Sequence, residues 1–213
     1  MKQIYCISGL GADKRAFQYL SIPNYQLHFI DWIIPEKHET IEAYCSRLIT
    51  QIKTENPIII GMSFGGMIAV EIAKQIGTEK IILISSVKTK FEIPILYRFL
   101  AALGLHYIVP LQYLKYAYKI AFWFFGIKNE KEKKFLKTIL VDTNPTLFSW
   151  SIKKAVSWQN TILFDQLKKI NGSTDKIFPL KNNNADAVIK GGGHFMIVNK
   201  ANEISTIIND WLK

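Results

Sequence analysis

The sequence predicts an α/β fold in which a compact, mostly parallel sheet of about six strands is flanked by helices. Short apolar runs rich in isoleucine alternate with amphipathic stretches along much of the chain, as in strands joined by crossover helices. Hydrophobic residues make up 49% of the chain, which is enough for a sizeable core. The length of 213 residues fits one domain with an insertion better than two independent domains.

The apolar runs give the order of elements around the sheet. Strands are predicted at residues 3–8, 25–30, 57–62 and 80–85, with a weaker strand at 167–171 and a clearer one at 187–190. Helices are predicted at residues 13–20, 39–53, 64–76 and 201–211. The first four strands are largely apolar, so we expect each to be buried on both faces between layers of helices.

The stretch between the fourth and fifth strands has a different character. It contains no strand-like run, and its aromatic-rich helical stretches fall at residues 93–103, 110–125, 130–141 and 146–156. This predicts a helical lid of residues 88–160, called the insert below, within a core made of residues 1–87 and 161–213.

The chain is basic, with a formal net charge of +10, but the basic residues do not form a nucleic-acid-binding pattern. Only three are arginines, and the 24 lysines are scattered over predicted helix ends and loops. Proteins that read nucleic acids usually rely on arginine forks and a concentrated basic patch. We therefore expect no nucleic-acid partner.

Nothing in the sequence marks the chain for secretion or membrane insertion. Residues 1–3 lead directly into the first strand, without the apolar segment of a signal peptide. The longest uncharged run in the middle, residues 99–114, is shorter than the roughly 18 apolar residues of a spanning helix. Cys6 and Cys45 are interpreted as buried, reduced thiols. The expected location is cytoplasmic, and the oligomeric state is left open.

Ser63 is the first candidate for a catalytic residue. It lies in the sequence Gly-Met-Ser-Phe-Gly-Gly, between a predicted strand and a predicted helix. A sharp strand-to-helix turn needs very small residues on either side of the serine, and it exposes the hydroxyl at the carboxyl end of the sheet. The helix N-terminus also supplies N–H groups suited to an oxyanion. The alternative is a glycine-rich turn with a passive serine cap.

His194 follows three consecutive glycines, between the last strand and the last helices. The glycines allow the chain to bring the histidine back over the end of the sheet. A serine hydroxyl is a poor nucleophile near neutral pH, so Ser63 needs a general base within hydrogen-bond distance. His28, His38 and His106 are interpreted as ordinary histidines.

Asp175 is the best candidate for the acid that orients this histidine. It lies in a turn at the end of the weak fifth strand, whereas Asp165 and Asp186 each precede a strand, at the wrong end of the sheet. The alternative is that Asp175 only forms an Asx turn.

With these residues in place, the chain resembles the α/β-hydrolase superfamily, and in particular its short bacterial esterase-like serine hydrolases. Ser63, Asp175 and His194 match the nucleophile elbow, acid turn and histidine loop of the family in its chain order. The resemblance implies an oxyanion hole formed by the backbone N–H groups of Leu10 and Phe64. The loop after the first strand has Ser8 where the family often has histidine. The chain begins at the first parallel strand, which implies a compact version of the fold.

The aromatic residues of the insert are more numerous than packing on the core requires. Phe122, Trp123, Phe124 and Phe125 follow one another and cannot all face inward from one helix. Tyr113, Phe122, Trp123 and Phe124 are therefore candidates to line a lipophilic substrate pocket. The alternatives are simple packing, or an exposed patch that contacts lipid, a membrane surface or a partner.

These features favour hydrolysis of a carboxylic ester or thioester of a lipophilic small molecule. No metal-ligand spacing of histidine or cysteine is present, so no metal or cofactor is expected. The same fold also supports C–C hydrolases, lyases and acyltransferases, as well as binding modules without catalysis. These classes remain open at this point.

Overall fold

A computed structural model of the chain describes residues 2–10, 12–104, 117–182 and 184–213. Within these ranges six strands form one sheet in which every pairing is parallel, and the predicted fold class is confirmed. The strands are β1 (Lys2–Ile7), β2 (Tyr25–Phe29), β3 (Ile58–Met62), β4 (Lys80–Ile84), β5 (Leu167–Gly172) and β6 (Ala187–Ile189). Their order in the sheet is β2-β1-β3-β4-β5-β6.

Alternate side chains of the central strands enter two separate hydrophobic clusters, one on each face of the sheet. On β3, Ile58, Ile60 and Met62 belong to one cluster, and Ile59 belongs to the other. The consecutive isoleucines read as a continuous apolar run because both faces are covered. The prediction of full burial is wrong for β2, whose residues are half-buried or exposed, because this strand lies at the edge of the sheet.

Four described helices accompany the sheet. They are α1 (Ile41–Ile49), α2 (Phe64–Ala73), α7 (Met196–Asn199) and α8 (Ala201–Trp211). The helices numbered between α2 and α7 belong to the insert. Helix α1 starts later than predicted because the Thr40 hydroxyl accepts a hydrogen bond from the N–H of Ala43 and so caps it. The predicted helix at residues 13–20 is only a 3₁₀ turn, Lys14–Phe17.

The described part of the insert is helical, with α3 (Ile95–Ala102), α4 (Tyr118–Phe125), α5 (Glu130–Asp142) and α6 (Pro145–Val156). Asn129 and Asn144 cap α5 and α6 with their side chains, and Gly126 ends α4 in the left-handed conformation. Part of the helix predicted at residues 110–125 lies outside the described residues. No described helix combines the length and apolar character needed to cross a bilayer.

Buried polar contacts fasten the start of the insert to the sheet. Lys169 on β5 is fully buried, and its Nζ lies 2.8 Å from Oε2 of Glu92. Burial lowers the pKa of Lys169, and the charge of Glu92 opposes that shift. The side-chain amide of Asn160 donates to the backbone carbonyl of Lys88, and the backbone carbonyl of Asn160 accepts from the N–H of Lys90. The two ends of the insert therefore contact each other.

The strand order positions the candidate site. The chain runs outward from β1 to the edge strand β2 and then returns to the other side of β1 with β3. Open parallel sheets bind ligands at the carboxyl ends of the strands beside such a reversal. The loop after β1 and the turn after β3 meet at this point.

Candidate active site

Ser63 lies in a tight turn between β3 and α2 with a φ angle of +50°, which a serine rarely adopts. The glycines around it permit the turn. A Cβ atom on Gly61 would lie 2.5 Å from the Cα of Gly66, and one on Gly65 would lie 2.1 Å from the carbonyl oxygen of Ser8. Substitution of Gly61 or Gly65 would therefore displace backbone, which explains the residue pattern recognised in the sequence.

The loop that carries His194 is held against the end of β5 by close backbone contacts. A Cβ on Gly172 would lie 2.1 Å from the carbonyl oxygen of Gly192, and that oxygen accepts hydrogen bonds from the N–H and hydroxyl of Thr174. Gly191 has a φ angle of +70°, which favours glycine. The three glycines thus fix the histidine above the sheet.

The structure brings Ser63, His194 and Asp175 into one hydrogen-bonded chain. The Nε2 atom of His194 lies 2.8 Å from the Ser63 Oγ, and its Nδ1 lies 2.9 Å from Oδ2 of Asp175. The Asp175 Oδ1 accepts from the N–H groups of Ile177 and Phe178. Asp175 therefore forms the Asx-type turn considered above and also binds the histidine, one oxygen for each.

The two other candidate acids lie elsewhere. Asp165 is exposed on a turn before β5. Asp186 accepts hydrogen bonds from the Lys88 side chain and from the N–H of Lys169, at the opposite end of β5. The argument from strand ends therefore selected the aspartate that contacts the histidine.

The loop after β1 approaches Ser63 closely. A Cβ on Gly9 would lie 3.2 Å from the Cβ of Ser63, and Leu10 and Phe64 both border the cavity at this position. Phe64 is the first residue of α2, so its N–H has no partner within the helix. This placement is compatible with the oxyanion hole inferred from the resemblance.

Trp32, which the sequence reasoning missed, holds this loop in position. Its Nε1 donates to the Ser8 Oγ at 2.8 Å and to the carbonyl oxygen of Ala12 at 3.0 Å. The Ser8 hydroxyl itself donates to the Ala12 carbonyl at 2.6 Å. The indole also stacks on Phe64, with ring centroids 5.8 Å apart. Ser8 thus has a definite contact in the position where the family often has histidine.

A cavity of about 420 Å³ opens above Ser63 and His194. Its other described lining is apolar except for Tyr97, and burial together with the charge of Asp175 raises the pKa of the Tyr97 hydroxyl. The apolar lining from the insert comprises Ile93, Ala117, Ile120, Ala121, Phe124, Phe125, Leu136, Ile139, Leu140, Phe148, Ile152, Ala155 and Val156. The cavity can therefore accommodate a molecule of medium size with little polar character.

The aromatic residues of the insert that were predicted to line the substrate pocket have different surroundings in the structure. Phe124 lines the cavity. Phe122 instead packs against one of the core clusters, and Trp123 is 59% exposed, with the Lys176 Nζ 3.8 Å from its ring centroid. The pocket assignment of Phe122 and Trp123 is therefore corrected, because consecutive residues of a helix point in different directions. Tyr113 lies outside the described residues.

Phe125 is a further residue that the site prediction did not single out. It lines the cavity, and its ring meets the His194 ring edge-on at a centroid distance of 5.2 Å. Phe178 belongs to the acid turn, and its ring centroid lies 5.7 Å from that of the same imidazole. The two rings shield a histidine that is only 1% exposed.

Among the described residues, no group of three or more His, Cys, Asp or Glu side chains could hold a metal ion.

The sheet order, the serine turn and the helical segment after β4 are those of the α/β-hydrolase fold, and this chain has that fold. No family profile matches the sequence, and no curated protein matches it. Among solved structures, a bromoperoxidase from Bacillus anthracis is similar with a TM-score of 0.73 and 16% identity, over 99% of this chain and 91% of that one.

Two other similar structures extend the comparison. An esterase from Exiguobacterium antarcticum has a TM-score of 0.72 and 17% identity, over 100% of this chain and 92% of its own. A meta-cleavage product hydrolase from Pseudomonas fluorescens IP01 has a TM-score of 0.67 and 15% identity, over 100% of this chain and 90% of its own. At these identities the similarity establishes the fold, and function must be argued from the site.

Proposed function

We propose that this protein is a serine hydrolase that cleaves a carboxylic ester or thioester of a lipophilic small molecule. The observation that carries the proposal is the chain of two hydrogen bonds, Ser63 to His194 to Asp175, at the floor of an apolar cavity. A nucleophile, a base and an orienting acid at these distances are the elements that acyl transfer through an acyl-enzyme requires.

The reaction follows from the positions of these groups. The Ser63 Oγ attacks the carbonyl carbon while Nε2 of His194 takes the hydroxyl proton. The N–H groups of Leu10 and Phe64 hold the oxyanion of the tetrahedral intermediate. The intermediate then expels the alcohol or thiol, which receives the proton from His194. Water attacks the acyl-enzyme by the same route, and the acid is released as Ser63 regains its proton.

Burial strengthens the role proposed for Asp175. The side chains of Asp175 and His194 are 0% and 1% exposed, so water screens their interaction little. The carboxylate fixes the tautomer that carries its proton on Nδ1, which leaves Nε2 free to accept from Ser63. It also stabilises the imidazolium formed when the serine proton is transferred.

Hydrolysis of a C–C bond is the second candidate, because one of the similar structures is a meta-cleavage product hydrolase. A carbon leaving group must be stabilised as it departs with its electron pair, whereas an alkoxide needs only the proton on His194. Apart from Ser63 and His194, the described lining offers one polar side chain, Tyr97. Ester or thioester cleavage is therefore the better supported reaction.

The first test is labelling by a fluorophosphonate probe together with hydrolysis of p-nitrophenyl esters. We expect the wild type to react with both, and Ser63→Ala to lose labelling and about 10⁶-fold in turnover. Ser46→Ala, which changes an exposed serine on α1, is the matched control and should behave as the wild type.

Two outcomes would contradict the proposal. A folded Ser63→Ala variant that keeps a tenth of the ester turnover would exclude Ser63 as the nucleophile. A folded wild type that neither reacts with the probe nor turns over any ester would indicate a ligand-binding module. Circular dichroism of each variant establishes that the fold is unchanged.

A further inference from the structure

The insert exposes many apolar side chains on α3, on α4 and on the turns that flank α3. The side chains of Phe91, Ile95, Phe99, Leu103, Ile120 and Trp123 are each more than half exposed. We call these six residues the apolar face. Ile95, Phe99 and Leu103 are spaced four residues apart and so follow one side of α3 and its C-terminal end. Apolar side chains concentrated in this way mark an interaction surface more often than isolated exposed ones do.

Positive charges surround the apolar face. The Lys90 Nζ lies 5.5 Å and the Arg98 Cζ 5.9 Å from the ring centroid of Phe91, and Lys176 caps the ring of Trp123. Long basic side chains in this arrangement cover apolar surface with their stems and keep the charge in water. Residues 93–104 and 117–129, which the structure describes, contain Arg98, Lys119 and Lys128 and no Asp or Glu.

Glu92, which follows Phe91 in the sequence, does not offset this charge at the surface. Glu92 directs Oε2 inward, where it accepts hydrogen bonds from the Lys169 side chain and the N–H of Lys88. Its side chain is only 13% exposed. The apolar face is therefore bordered by cations whose charge is not cancelled by Glu92.

The apolar face reaches the cavity at one residue. Ile120 is 59% exposed and at the same time lines the cavity, and Tyr97, on the same helix as Ile95 and Phe99, lines it as well. The helices that carry the apolar face therefore also form part of the cavity wall.

We propose that the apolar face docks on an anionic lipid bilayer. Aromatic and aliphatic side chains bordered by lysine and arginine fit the acyl boundary and the negatively charged headgroups of such a surface. A second copy of the chain fits less well, because pairing the same surface would bring cations of one sign together. The proposal concerns binding and does not depend on the ester hydrolysis proposed above.

Vesicle binding of the full chain tests this proposal. We expect co-sedimentation with vesicles of equimolar phosphatidylglycerol and phosphatidylcholine to be at least about tenfold stronger than with phosphatidylcholine alone, and to weaken with added salt. The double variant Phe91→Ser/Phe99→Ser should lose at least about tenfold in affinity. Tyr19→Ser/Ile34→Ser, which alters residues that are also at least half exposed but lie outside the insert, should bind as the wild type.

Three results would overturn the proposal: wild-type protein that does not bind anionic vesicles, binding equal to that of the Phe91/Phe99 variant, or equal binding to both kinds of vesicle. Dimerisation in gel filtration that disappears in the same variant would instead assign the apolar face to a second copy. Ser63→Ala should bind vesicles as the wild type does, which separates this test from the fate of the proposed reaction.

Discussion

Replacing Trp32 by phenylalanine tests how the loop after β1 is held in place for catalysis. Phenylalanine can keep the stacking on Phe64 and Tyr44 but removes the N–H that now bonds to Ser8 and Ala12. The hydrogen bond between Ser8 and Ala12 does not involve the indole, so the loop should loosen rather than collapse. Trp32 is a positioning residue in this reasoning, since it acts through the N–H group proposed for the oxyanion.

The expected magnitude follows from the loss of one N–H group that is shared between two acceptors. Removing such a partly buried donor costs about 1–2 kcal/mol, so up to about 2 kcal/mol of loop positioning is lost. If that loss falls on the transition state, kcat decreases roughly 30-fold. This lies below the loss of about 10²–10³ that follows removal of an oxyanion donor, because the donor itself is still present. The substrate is bound mainly by apolar contacts, so KM should change less than about threefold.

The assay measures kcat and KM for a p-nitrophenyl ester and the inhibition constant of a trifluoromethyl ketone, which mimics the tetrahedral intermediate. Inhibition should weaken by the same factor by which kcat/KM falls. Trp150→Phe is the matched control, because Trp150 belongs to the same aromatic cluster but donates to the carbonyl of Glu39 instead. Equal losses of kcat in Trp32→Phe and Trp150→Phe, or a loss of thermal stability alone, would reduce Trp32 to a packing residue.

Three further predictions concern the acid, an ion pair and the cavity. Asp175→Asn should lower kcat about 10⁴-fold by favouring the wrong histidine tautomer, whereas Asp165→Asn should not; similar rates for the two variants would exclude Asp175 as the orienting acid. Burial raises the pKa of Asp186, but the hydrogen bond from Lys88 and the other hydrogen-bonding and charged neighbours together outweigh burial and lower the pKa below its ordinary value. The ionised Asp186 therefore stabilises the fold above the unfolded pKa of about 4, and this contribution is lost as pH falls through the lower folded pKa. Asp186→Asn should therefore cost about 1–2 kcal/mol in urea unfolding at pH 7 and less at pH 3, and an equal cost at both would refute this. Finally, kcat/KM should rise by one to two decades from acetate to hexanoate esters at about 0.8 kcal/mol per methylene, and Phe124→Ala should flatten the profile; a maximum at acetate would indicate a short pocket.

The order of elements could be predicted because the strands that carry it are apolar on both faces. Runs such as Ile58–Met62 leave little choice between strand and helix, and the final helix, Ala201–Trp211, has the predicted bounds. The partial exposure of β2 could not be predicted, since it arises from the place of this strand at the sheet edge, where it pairs with β1 alone. The strand β5 looked weak because of two adjacent lysines. Lys169 is nevertheless buried, because Glu92, distant in sequence, neutralises it.

The candidate catalytic residues were predictable because each sits in a local pattern that its geometry requires. Ser63 needs glycines in its turn, and His194 needs the glycine loop that precedes it. Trp32 has no such pattern, because its contact with Ser8 spans 24 residues and arises only from the fold. The distinction between Trp123 and Phe124 depends on the rotation of α4, which four consecutive aromatic residues leave undetermined.

The contacts of Asn160 have a consequence for how such a protein can change its specificity. Because Asn160 binds the backbone at Lys88 and Lys90, the two ends of the insert are held next to each other. The loop-closure entropy grows only slowly with the length of the segment between these residues. The segment can therefore be lengthened, shortened or exchanged as a cassette while the pairing of β4 with β5 is preserved. Chimeras joined at these residues would acquire a different cavity lining from the new insert, while Ser63, Asp175 and His194 in the core would be unchanged.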